Sequence, residues 1–355
     1  MRILITGGAG FVGSSLATCY REDYPNAEIV VLDNLRRRGS EINLPKLQKR
    51  GVRFQHGDVR NEADLEALPG RFDLFVEASA EPTVLAGLNG SPKYVLQTNL
   101  TGTLNCLEFA RNRAKRLLFL STSRVYSIEP LRQIELLHGK TRFEIGERQT
   151  LPGVSRHGIS ERFPTHLPRS LYGASKLASE LVIQEYVDTY GIEAVIDRCG
   201  VIAGPGQFGK VEQGVFTLWV ANHYFGRPLK YTGFGGEGKQ VRDLLHPKDL
   251  YELLRKQVDR MESVRGHVFN VGGGVEVSTS LLEFSDLCRE RTGRSTHIGS
   301  EMTTSPVDIP LYVTDHALAS QRFDWKPRRS VPDIVGSIAD WIRDNEVEIA
   351  PLFAG

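Results

Sequence analysis

The chain has 355 residues, 25% of them charged, and a formal net charge of +1, which suits one large α/β domain with a substrate lobe, or two domains sharing a cleft. So even a balance excludes the global field with which proteins hold nucleic acid or an anionic membrane, and no apolar run or charged-then-apolar leader of targeting type stands out. The four cysteines, Cys19, Cys106, Cys199 and Cys288, show no CxxC or metal-ligand spacing; no metal is expected, and they read as buried thiols in a reducing cytoplasm.

In chain order, Ile3–Ile5 is a short apolar run suited to one buried strand, and the run Thr6-Gly-Gly-Ala-Gly-Phe-Val-Gly13 follows before apolar residues resume at Leu16 and Ala17. Strand, glycine turn and helix start make the first half of a βαβ unit. Gly7 permits the tight turn, Gly10 lets a pyrophosphate approach the backbone, and Gly13 lets helix and strand pack closely. The anion would rest on the helix N-terminus. Ile29–Leu32 is a second strand running into Asp33, about twenty residues beyond the glycines, where a carboxylate grips the adenosine ribose. That carboxylate repels a 2′-phosphate, so NAD is favoured over NADP, although Arg36, Arg37 and Arg38 stand close enough to accommodate one.

A polar stretch to Arg50 predicts a short helix and loop, Val52–Asp58 a third strand, and Asn61–Leu68 a helix. Phe72–Ala80 is a fourth strand, Tyr94–Arg113 a helix, and Leu117–Leu120 a fifth strand. Strands alternating with helices, without hairpin signals, predict a Rossmann-like, doubly wound parallel sheet with its ligands at the C-terminal strand ends. Between Tyr126 and Tyr172 the chain turns irregular, with Pro130, Pro152, Pro164 and Pro168; loops this long are functional or mobile. A helix over 172–190 and a strand at Glu193–Ile196 follow, and glycine-rich runs begin at Gly204 and Gly233. The expected division is a dinucleotide-binding domain at 1–198, including the loop 127–170, and a smaller C-terminal substrate lobe at 199–355, some of which returns to the first domain.

Tyr172-Gly-Ala-Ser-Lys176 places a phenol and an ammonium one helical turn apart on one face. The ammonium favours the phenolate, as would a nicotinamide cation, and together they bring a phenol into general-base range. Thr122, at the end of the fifth strand, can hold a substrate hydroxyl toward Tyr172; alone it would read as a strand-end cap. His157 and His166 read as solvent-exposed loop residues. Glu161 reads equally as a sugar contact or a helix cap.

On these motifs, and on Leu120-Ser-Thr-Ser-Arg-Val-Tyr126, Gly158-Ile-Ser-Glu161, Arg198-Cys-Gly-Val-Ile-Ala-Gly-Pro205 and Gly235-Gly-Glu-Gly-Lys-Gln-Val-Arg-Asp-Leu-Leu-His246, the chain resembles the extended short-chain dehydrogenase/reductases of the NAD-dependent sugar-nucleotide epimerase/dehydratase family. The resemblance implies Thr122, Tyr172 and Lys176 as catalytic trio. It implies NAD contacts from Gly7, Gly10, Phe11, Val12, Asp33, Asn34, Asp58, Val59, Ala78, Ala80, Asn99, Lys176 and Cys199, the last as a small neighbour of the nicotinamide. Nucleotide-sugar contacts would come from Ser123, Arg124, Gln207, Lys210, Gln240, Arg242 and Tyr312. The implied activity is that of an isomerase: epimerisation at C-2 of a CDP-linked deoxyhexose through a transient 2-keto sugar, by a homodimer. Alternatives are a 4,6-dehydratase, another 4-epimerase, or a non-catalytic NAD-binding protein. Dehydratases of the family usually carry an Asp-Glu pair after the threonine, where this chain has Ser123 and Arg124. It also departs at Glu77 and Glu81, where relatives often have histidine and glutamine, and at Pro310, where many have an arginine. A diphosphate clamp of two arginines would then keep only Arg242.

Overall fold

The computed structural model describes residues 1–88, 90–209 and 214–353. They divide into two units: residues 1–125, 170–199 and 250–269 form the first, and residues 126–169, 200–249 and 270–355 the second.

The first unit is built on β1 (Arg2–Thr6), α1 (Phe11–Asp23), β2 (Glu28–Asp33), β3 (Arg53–His56), β4 (Leu74–Glu77), α2 (Gly102–Arg113), β5 (Arg116–Thr122), α3 (Leu171–Tyr190), β6 (Glu193–Cys199) and β7 (Val268–Val271). The strands form a seven-stranded sheet in the order β7-β6-β5-β4-β1-β2-β3, and every strand from β6 to β3 runs parallel to its neighbours. The order reverses at β1, which is the doubly wound arrangement expected from alternating strands and helices. Central strands covered on both faces need continuous apolar runs. Leu4, Val30, Leu32, Phe75, Leu117, Phe119 and Ile196 accordingly pack with Cys106, Leu107 and Ala110 of α2 and Ile183 of α3. The helix expected over 94–113 is interrupted by a π turn at Gln97–Thr101, and the one expected over 61–68 shrinks to Glu62–Glu66.

In α3 the Ser170 hydroxyl accepts the Gly173 N–H at 3.1 Å, which satisfies one orphan donor of the first turn. Gly191, at φ 69°, closes the other end, its N–H bonded to the Val187 carbonyl. These two caps fix where the helix begins and therefore where Tyr172 sits.

In the second unit, helices Val215–Phe225, Leu281–Thr292 and Val331–Asp344 enclose a core that includes Phe216, Trp219, Phe284, Ile334 and Ile338. A small sheet centres on Val241–Leu245, paired with Val201–Ile202, Ser278–Ser280 and Leu311–Tyr312. Residues 126–169, expected as an irregular loop of the first domain, instead cluster with this unit. They hold a helix at Ile128–Gln133 and two antiparallel pairs, Leu136–His138 with Phe143–Ile145 and Val154–Ser155 with Gly158–Ile159. Phe143 packs on Val241, Leu311 and Val313, and Arg142 Nη2 lies 2.6 Å from Glu283 Oε2. That apolar contact and ion pair give the segment its place. Among the described residues no helix is long and apolar enough to cross a membrane.

Candidate active site and dinucleotide cradle

The glycine turn leaves β1 through Gly7, whose φ of +63° suits glycine. A Cβ on Gly13 would lie 2.3 Å from the Gly7 carbonyl oxygen, and one on Gly7 would lie 2.7 Å from that of Ala78. A Cβ on Gly10 would meet only the Gly7 oxygen, at 3.2 Å. Gly13 therefore serves helix–turn packing, while Gly10, the N-cap of α1, has no side-chain cap bond, and the first turn carries no acidic residue. Phe11 and Val12 open that turn. Nothing on α1 competes with an incoming anion, so the cradle fits a dinucleotide pyrophosphate.

Asp33 Oδ2 accepts the Ala9 N–H at 3.1 Å and Oδ1 the Leu35 N–H at 2.8 Å. Burial pushes this carboxyl upward against the pull of those amides. It thus ties the glycine turn to the end of β2, a role its place in the sequence did not reveal. Asn34 Nδ2 donates to Asp58 Oδ2 at 2.9 Å, and Arg60 Nη2 donates to the same oxygen at 2.6 Å. Against burial, those bonds hold Asp58 at about 2. Arg36 and Arg60 lie over the Tyr94 ring at 4.0 and 4.9 Å from its centroid, which engages the first of the three arginines after Asp33. Val59 is buried, Ala78 and Ala80 partly so. Asn99, in the π turn, is fully buried; its amide bridges the Glu81 backbone and the Ser175 hydroxyl, so it braces the loop after β4 against α3.

Tyr172, Lys176 and Thr122 are all buried in the first unit. Burial pushes the Tyr172 phenol up to about 12; the Thr122 hydrogen bond and the Arg124 charge pull it down, while Cys199 and Glu81 push it up. The Arg124 N–H donates to the Thr122 hydroxyl at 3.2 Å, and Ser123 is buried in the same turn. Lys176 Nζ stands 3.9 Å from Glu77 Oε2 and 3.8 Å from the centroid of the Phe119 ring. Cys199 is buried, its thiol pushed up by desolvation, the opposite of what a nucleophilic thiolate needs.

One further group escaped sequence reasoning. Glu180 accepts from Arg198, Nη2 at 2.7 Å and Nε shared between both carboxylate oxygens at 3.0 and 3.2 Å, and from the Ser121 hydroxyl. The signal was available: Glu180 follows Lys176 by one turn on the face that Tyr172 shares.

In the second unit Arg242 Nη2 donates to Asp308 Oδ1 at 3.0 Å and to the Ile309 carbonyl at 2.8 Å. The Pro310 carbonyl accepts the Val241 N–H, so this position serves the strand pairing. Gln207 takes the Thr217 hydroxyl at 2.6 Å and donates to the Ile202 carbonyl, and Gln240 donates to the Thr232 carbonyl at 2.6 Å. Tyr312 is buried and stacks with Tyr126, ring centroids 6.2 Å apart. Glu161 accepts the Asn270 N–H at 2.7 Å, a structural strut; His157 and His166 are exposed. Lys210 lies outside the described residues.

The sheet order and the turn after β1 define a Rossmann-type dinucleotide-binding protein. More narrowly, the chain belongs to the NAD dependent epimerase/dehydratase family, whose sequence profile matches residues 3–272. It is 30% identical to the CDP-paratose 2-epimerase of Salmonella typhi, an alignment covering 96% of this chain and 99% of that one. With the dTDP-glucose 4,6-dehydratase of Streptomyces antibioticus it shares 28% identity over 99% and 95%. Among solved structures, the UDP-glucose 4-epimerase of Thermus thermophilus in complex with NAD superposes with a TM-score of 0.76, at 25% identity, over 97% of this chain and 99% of that one.

Proposed function

We propose that this protein is an NAD-dependent epimerase acting at C-2 of a CDP-linked deoxyhexose. The observation that carries the reading is the buried Tyr172 phenol, with the Thr122 hydroxyl among the groups that tune it and Lys176 one turn later on the same helix. The choice of carbon 2 and of cytidine rests on likeness to the Salmonella typhi epimerase across nearly the whole chain.

The glycine turn and the α1 N-terminus would hold the pyrophosphate, and Asp33 and Asn34 would meet the adenosine end. When bound, NAD supplies the acceptor and then the donor of the sugar hydride. Thr122 orients the sugar hydroxyl, and Tyr172 takes its proton as the ketone forms. The flat ketone turns over in the site, and Tyr172 returns the proton once the other face is presented. A dehydratase must also move a proton and expel water, and Ser123 and Arg124 follow Thr122 in place of an acid–base pair. Pairing of two copies through α2 and α3 is supported by the exposed Leu104, Leu181 and Tyr190.

The decisive experiment places deuterium at C-2 of a CDP-deoxyhexose. It should remain at C-2 in the epimer, with none entering from deuterated water. Solvent deuterium at that carbon overturns the transient-ketone reading. Offered instead a nucleotide-linked hexose that keeps its 6-hydroxyl, a dehydratase would release water and leave a 4-keto product lighter by about eighteen mass units, which would establish that reading.

A further inference from the structure

Glu77 ends β4 in the middle of the sheet, in register with Thr6 of β1 and Phe119 of β5. The three residues before it, Leu74, Phe75 and Val76, are apolar and fully buried, and Glu77 itself is 1% exposed. A carboxylate in such a position is costly unless it is paired. Its Oε1 accepts the Ser79 hydroxyl at 2.9 Å. Its Oε2 has no hydrogen-bond partner among the described residues and faces Lys176 Nζ, 3.9 Å away. Lys176 is equally buried, its ammonium lying over the ring of Phe119, the cross-strand neighbour of Glu77. Sheet register and helix face thus bring one carboxylate, one ring and one ammonium together.

The other groups facing this pair do not replace Glu77. Glu180, one turn along α3, is taken by Arg198 of β6 and the Ser121 hydroxyl. Cys106 of α2 and Cys199 of β6 are thiols pushed upward by burial, hence neutral. Tyr172 stands at the head of the same helix face. Burial drives Lys176 toward the free amine, and Glu77 is foremost among the groups that oppose it.

We propose that Glu77 is the resident counter-ion that keeps Lys176 an ammonium, and so sets the pH range over which Tyr172 works as base. It is a positioning residue that acts through Lys176, and its link to turnover rests on Tyr172 being the base. Without the carboxylate, the buried lysine sheds its proton at lower pH, and the phenolate loses its cationic support.

The test uses protein with 13Cε-labelled lysine, in which the Lys176 resonance is identified by its loss in Lys176→Met. In Glu77→Gln the Lys176 titration should move down by about one pH unit or more, and the alkaline limb of turnover should move with it. Glu77→Asp, which keeps the charge but shortens the reach, should shift both less and in the same direction. A Lys176 titration that stays in place in Glu77→Gln overturns the proposal. Should that variant not fold, an unmoved titration in Glu77→Asp overturns it equally. Turnover that falls with an unchanged pH profile marks a merely structural role. Tyr172→Phe with near-normal turnover would overturn the base assignment alone, because the lysine titration reads Glu77 without it.

Discussion

Arg242 Nη2 is bonded to Asp308 Oδ1 at 3.0 Å, so the cation that the family resemblance offers to a substrate diphosphate already holds a carboxylate. A diphosphate must share or displace that contact, since the planar guanidinium has few directions left after its bonds to the Val241 and Ile309 carbonyls. Arg242→Ala should weaken nucleotide-sugar binding about tenfold or more while leaving NAD affinity unchanged. Asp308→Asn, which releases the arginine, should tighten nucleotide-sugar binding. Calorimetric titration of both variants checks this, and equal affinity in all three proteins would remove Arg242 from the site.

Tyr172→Phe removes the proposed proton acceptor but keeps a ring that is buried among the same neighbours. Turnover should fall by about 10²-fold or more, with the circular dichroism spectrum and NAD binding intact.

Asp197, fully buried in β6, takes one bond from Gln257 Nε2 at 2.7 Å, and burial pushes its carboxyl up to about 7. The unfolded chain therefore releases this proton at lower pH than the folded one. The contribution to stability is complete below about pH 4, declines as pH rises, and is lost once pH passes about 7. Asp197→Asn should abolish that slope and raise the melting temperature relative to the parent at pH 8. Parallel melting curves with the same dependence on pH would assign the slope to other groups.

Gly13→Ala puts a methyl where 2.3 Å separates it from the Gly7 carbonyl oxygen, a backbone atom that cannot swing aside. The turn must open, so NAD affinity should drop and stability should fall by about 1–3 kcal/mol. Denaturant melts and fluorescence titration with NADH would measure both.

Mass spectrometry of the supernatant from denatured protein should find NAD or NADH. Asp33 ends β2 where the proposed reading puts the adenosine ribose, and Arg36, the nearest cation after it in sequence, lies on Tyr94. Predominant NADP would mean that Arg37 and Arg38 outweigh the carboxylate.

The first half of the sheet was legible because its signals are local: an apolar run, a glycine turn and an acid at a strand end all fall within a few residues. The Tyr172–Lys176 pair was legible for the same reason, one helical turn being four residues. The pairing of Glu77 with Lys176 was not, since it depends on strand register and on which face of α3 meets the sheet. Glu77 was visible only as an unexpected acid. Residues 126–169 read as irregular because strands of two or three residues are too short to display an alternating pattern. Arg142 and Glu283, which anchor the segment, are far apart in sequence. Asn99 carried the right residue type, but its use as a brace follows from a π turn that apolar spacing does not announce.

The dinucleotide-binding unit is collected from three separate stretches of chain, and its outermost strand, β7, arrives only at Val268–Val271. Until those residues leave the ribosome, β6 is an open edge whose Val195 and Ile196, fully buried in the finished protein, face a crowded solution. Unpaired, apolar edges of this kind template aggregation. A fragment trimmed at Cys199 to isolate the cofactor domain would keep every glycine of the turn after β1 and the whole Tyr–Lys pair, yet fail in expression. Circular permutants that bring residues 250–269 forward should be the forms that yield it intact.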